Sequence, residues 1–98
     1  MSVNEAKEYA KNRLPIWGMD QNEFGSLDQL WTAESGWNYK AFNKKTKCAG
    51  IPQIKGGADV PNFMNDYTIQ IEHGLSYIKN RYSTPSKAWA FHQKNGWY

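Results

Sequence analysis

Only one cysteine, Cys48, occurs in the chain, so no internal disulfide can form and the redox compartment stays open. No apolar run approaches the ~20 residues of a membrane span, and the N-terminus lacks the apolar stretch of a secretory signal. A soluble chain without a membrane span is expected. Histidine is scarce as well. A metal site would draw on His73, His92, Glu72 and Asp59, yet the only short-spaced pair is Glu72-His73, and adjacent residues of a helix diverge. A Cys/His nucleophile would need Cys48 brought beside His73 or His92. Phosphate-loop and dinucleotide fingerprints are missing, and Gly56-Gly57 alone is turn chemistry. No metal or cofactor is expected. The excess of +3 in formal charge is dense only at Lys44, Lys45 and Lys47, with no helix-turn-helix signal and no interleaved aromatics. That argues against nucleic acid and suits an anionic surface.

What the chain does hold is aromatic. Five Trp and six Tyr among 98 residues are many for one small domain (1–98), and such rings both fill a core and offer platforms for the apolar faces of sugars. Ser2 and Glu5 have capping-box spacing, and Val3, Ala6, Ala10 and Leu14 share a face until Pro15 stops the first helix. After a connection from Ile16 to Gly25, Ser26 and Gln29 repeat that spacing and start a second helix ending at Gly36. From Trp37 to Asn65 periodicity fades, punctuated by Gly50, Pro52, Gly56, Gly57 and Pro61, although the aromatic and apolar content speaks against disorder. This long irregular segment reads as a binding surface, with room for a brief extended pairing from Ala49 to Ile54. Asp66 caps a third helix with the face Tyr67, Ile71, Leu75, Ile78 and Tyr82, where Gly74 permits close approach by another helix. Thr84 and Pro85 open a fourth, closing at Asn95-Gly96. The expected architecture is mainly α, about four helices packed around the third.

One carboxylate is out of place on this map. Glu34 lies seven positions beyond Leu27 and shares its face with Leu30 and Trp31. A carboxyl held against such neighbours is desolvated; its charged form is disfavoured and a proton stays available near neutral pH, as a general acid requires. A hydrogen-bonded structural glutamate fits the same placement. Glycan cleavage needs that acid plus either a second carboxylate or a substrate group that captures the sugar cation. Asp59 and Asp66 are the candidates for a second carboxylate, but each also suits a turn or a helix cap. An acid without an obvious partner fits capture by the substrate's own hydroxyl better.

The run Glu34-Ser35-Gly36-Trp37-Asn38, followed by Ala49-Gly50-Ile51-Pro52-Gln53, resembles the lysozyme-like domain of lytic transglycosylases. The small bacterial and phage version is most similar, with its motifs in the same order as Leu30 to Asn38, Gly50 to Gln53, Ile71 to Tyr82 and Ala88 to Tyr98. The resemblance spans nearly the whole chain. It implies that Glu34 protonates the oxygen bridging N-acetylmuramic acid (MurNAc) and N-acetylglucosamine (GlcNAc), then acts as base on the muramoyl 6-hydroxyl, leaving a 1,6-anhydro end. It implies further that Ser35 orients the glutamate or contacts substrate, that Gln53 hydrogen-bonds the sugar, and that Gly50 and Pro52 set the turn. The partner would be peptidoglycan, bound by a monomer outside the cell, at the wall or on a phage virion. A protein working there would be a mature fragment or would leave without a cleaved signal.

The chain departs from this pattern twice. Thr46-Lys47-Cys48-Ala49 stands where close relatives tend to have Ser-Gly-Ala-Tyr, which removes an aromatic and adds charge. Phe91-His92-Gln93 stands where larger transglycosylases carry Ala-Tyr-Asn, so His92, Gln93 or neither takes the part of the tyrosine that aids the acid. Two rival readings remain open: a muramidase that admits water with Asp59 or Asp66 as base, and a wall-binding module holding sugar through Trp37, Tyr39 and Gln53.

Overall fold

The computed structural model describes residues 2–98 and is mainly helical. Helix α1 spans Val3–Arg13, and its N-terminus is closed by the reciprocal box: the Ser2 hydroxyl accepts from Glu5 N–H and the Glu5 carboxylate accepts from Ser2 N–H. Ala6, Ala10 and Leu14 are buried as the periodicity requires, but Val3, in the first turn, is 44% exposed. Helix α2 (Phe24–Ser35) does not start at Ser26. Asp20 accepts from Asn22 N–H and caps a 3₁₀ turn, Gln21–Glu23, that runs directly into α2. The free N–H groups of the helix start are therefore met upstream, and Ser26 sits inside the helix.

Helix α3 (Tyr67–Tyr82) is capped by Asp66 and buries Ile71, Gly74, Leu75 and Ile78. Helix α4 (Pro85–Asn95) has Thr84 as cap, Pro85 in its first turn and Gly96 in the left-handed conformation at its end. The packing is not centred on α3 alone: α2 against α4 is the most extensive helix pair, and α3 touches both α1 and α4. Gly74 is the close-approach point, since a Cβ there would come within 2.5 Å of Trp31 and 2.8 Å of Pro52.

The segment between α2 and α3 is irregular but ordered by a few contacts. Strands β1 (Cys48–Ala49) and β2 (Ile54–Lys55) pair antiparallel, Cys48 with Lys55 and Ala49 with Ile54, around the Gly50–Gln53 turn. Gln70, fully buried on α3, fastens this segment: its Oε1 accepts from Ile51 N–H, and its Nε2 donates to Tyr39 O and Phe63 O. Three backbone groups that no helix or sheet could satisfy are thereby paired. None of the helices among the described residues is long and apolar enough to cross a membrane.

Candidate active site

Leu27, Leu30 and Trp31 carry the apolar stripe of α2 into the core, and Glu34 follows at the helix end, its side chain 17% exposed. The helix stops there because Gly36 takes a left-handed φ of 63° and donates to Thr32 O. Burial is the largest influence on the Glu34 carboxyl and raises its pKa; the contact with His92 works in the opposite direction without cancelling it. His92 Nε2 lies 2.7 Å from Glu34 Oε2, so α2 and α4 meet through these two side chains. A neutral imidazole can donate from that nitrogen to a carboxylate or accept there from a carboxylic acid, so the contact survives either state of Glu34. Trp89 stacks on the His92 ring at 5.4 Å and fixes its plane.

Two lobes of a surface groove meet at Glu34 and Gln53. The first, of about 420 Å³, runs along Ile54, Lys55, Tyr77, Arg81, Trp97 and Tyr98, with Cys48 in its wall. The second, of about 520 Å³ and shallower, runs along Ala41, Phe42, Asn43, Lys44 and Lys45. Among the described residues that line either lobe, Glu34 is the one with a side-chain carboxylate. Gln53 holds a left-handed φ of 55°, and its Nε2 donates to Gly50 O and Ala41 O, so the amide is fixed at the junction.

The other residues singled out by sequence fall elsewhere. The Ser35 hydroxyl donates to Ile51 O at 2.7 Å and ties the end of α2 to the Gly50–Gln53 turn; it bonds to that backbone and not to Glu34. Trp37 is only 2% exposed. Its left-handed backbone turns the indole into the core against Trp31 and Phe24, with Nε1 donating to Asp28, so it offers no platform in the groove. Tyr39 lines a small separate depression beside α1. Gln93 is exposed and lines neither lobe. Asp66 is engaged in capping α3, where its bonds to Thr68 hold the carboxyl below its ordinary pKa, and Asp59 is exposed in the 3₁₀ turn Gly57–Asp59.

Of the remaining candidates, Glu72 accepts from Tyr9, Arg13 and Trp17 and is part of a structural network, His73 packs edge-on to Phe63, and His92 faces Glu34. The aromatic wall of the deeper lobe comes instead from Tyr77, Trp97 and Tyr98. Tyr77 shows only as a flank of the α3 stripe, and Trp97 and Tyr98 lie beyond the last periodic residue. The chain matches no known protein family, no curated protein and no solved structure.

Proposed function

We propose that this chain is a peptidoglycan lytic transglycosylase of lysozyme-like type, acting at the cell wall with Glu34 as its acid and base. The observation that carries the reading is a largely buried carboxyl, its pKa raised by that burial, at the junction of two groove lobes, where a sugar chain crossing both would present one linkage to it. Protonated Glu34 gives its proton to the bridging oxygen as the bond to muramoyl C1 breaks. The ionised carboxylate then takes the proton of the muramoyl 6-hydroxyl while that oxygen bonds to C1. No water is consumed, and Glu34 ends in the state in which it began. A groove whose lining holds no second side-chain carboxylate among the described residues favours this internal capture over a base-activated water. Gln53 faces the reacting sugar, and His92 holds the acid in aim.

Incubation with purified sacculi, followed by mass analysis of the soluble fragments, tests this. Anhydro ends, one water lighter than reducing ends, are expected from the wild type, and release falls on the order of 10²- to 10⁴-fold for Glu34→Gln. Reducing ends would make the enzyme a muramidase. Equal release by both proteins would remove Glu34 from the chemistry, and retention on sacculi without release would leave a binding module.

A further inference from the structure

The charges around the groove are one-sided. Lys55 and Arg81 line the deeper lobe, Lys44 and Lys45 line the shallow one, and Glu34 between them is the one side-chain carboxylate among the described lining residues. Each lobe thus sets two cations on its wall, an arrangement that a neutral sugar chain does not call for. Arg81 is also placed: its guanidinium lies over the Tyr77 ring, 5.3 Å from its centre, and both residues line the same lobe. A planar fork beside an aromatic wall suits a carboxylate carried on a sugar ring.

We propose that both lobes recognise carboxylates on the substituents of the strand, so that the preferred ligand is peptidoglycan bearing its peptide stems and not the bare sugar backbone. This rests on the lytic reading for the identity of the strand, while the charge preference stands on the groove alone. The cations on opposite sides of Glu34 would then engage stems on both sides of the linkage being cleaved and set the register in which the strand lies.

Binding of three ligands to the Glu34→Gln protein, which removes turnover, tests the idea: neutral chitin oligosaccharides, stem-free glycan strands with one lactyl carboxylate per disaccharide, and stem-bearing strands. Affinity is expected to rise in that order at low salt and to converge at high salt. The double variants Lys55→Gln/Arg81→Gln and Lys44→Gln/Lys45→Gln should each weaken stem-bearing strands roughly three- to tenfold and chitin oligosaccharides distinctly less. These are surface positions, so circular dichroism should match the parent protein. Equal affinity for neutral and stem-bearing ligands, or an order that survives both double variants, overturns the proposal. Release of fragments from sacculi by the protein with Glu34 intact is read in parallel. Cleavage without charge preference retains the lytic reading and removes this one, whereas charge-ordered binding without cleavage does the reverse.

Discussion

Glu34 is held between two opposed influences, and the balance between them has a readable sign. Burial raises its pKa, while His92 stabilises the ionised form and pulls the pKa down. Replacing His92 by Phe removes the second influence and leaves the first. With Glu34 as the acid of the proposed lytic reaction, the high-pH limb of activity should therefore move to higher pH in His92→Phe. The same variant should lose roughly 10- to 100-fold in kcat with KM little changed, the size expected when a hydrogen bond to a charged group is lost. A pH–rate profile beside the wild type reads both, and a limb that stays in place would exclude His92 from control of the acid. Glu72 is a structural counterpart with the opposite sign. Burial works against its charge, but bonds from Tyr9, Arg13 and Trp17 outweigh burial and hold its pKa below the ordinary 4.5. A group lowered on folding stabilises above its unfolded pKa and loses that contribution as pH falls through the folded value. Chemical denaturation should show Glu72→Gln weaker by about 1 kcal/mol at pH 7, a figure already reduced for partial exposure, and equal to wild type once pH drops well below 4.5.

Helix α3 has a glycine in its middle, where propensity alone would favour alanine by about 1 kcal/mol. Packing reverses that preference. A methyl group at Gly74 would meet Trp31 Cζ2 at 2.5 Å and Pro52 Cβ at 2.8 Å, and neither is the end of a flexible chain. Gly74→Ala should destabilise by about 1–3 kcal/mol through overpacking, despite the helical gain, and thermal melting checks the sign. Close approach here was legible in the sequence, as were the Ser2/Glu5 box, the Asp66 and Thr84-Pro85 starts and the Gly36 and Gly96 stops. All of these are encoded within a few residues. The start of α2 differs from the Ser26/Gln29 expectation because that isolated spacing cannot reveal that Asp20 already caps the turn before it. The burial of Trp37 was equally hidden: it depends on a left-handed backbone that a bulky residue rarely adopts, held here by Trp31, Phe24 and Asp28. Gln70 gives no periodic signal, since a polar residue on a helix reads as surface until its three backbone partners, 7 to 31 residues away, are in place. In the candidate site, local pattern and motif single out Glu34 and Gln53, whereas the Glu34–His92 contact joins residues 58 apart and depends on the packing of α2 on α4.

The helices and the irregular segment are also joined at Tyr98. Its hydroxyl accepts from Trp31 Nε1 of α2 at 3.0 Å and donates to Pro52 O in the turn at 2.8 Å. Its carbonyl accepts from Tyr77 and Tyr82 of α3. Three parts of the fold therefore share one residue, and that residue also lines the groove beside Glu34. Burial, reinforced by the nearby Glu34 charge, pushes the phenol well above its usual pKa, so the hydroxyl keeps its proton and both bonds persist through the neutral range. Tyr98→Phe preserves the ring but leaves an indole N–H and a carbonyl unpaired in a buried place, an expected cost of about 2 kcal/mol. For a domain of this size that corresponds to a melting temperature lower by roughly 8–16 °C. The loss should appear as one shifted transition, because the deleted bonds connect α2 to the Pro52 turn and no separate unit carries them. Hydrogen exchange then distinguishes a shared joint from a local one. Faster exchange in both α2 and the Gly50–Gln53 turn supports the joint, while acceleration confined to residues next to Tyr98 would reduce it to a local contact.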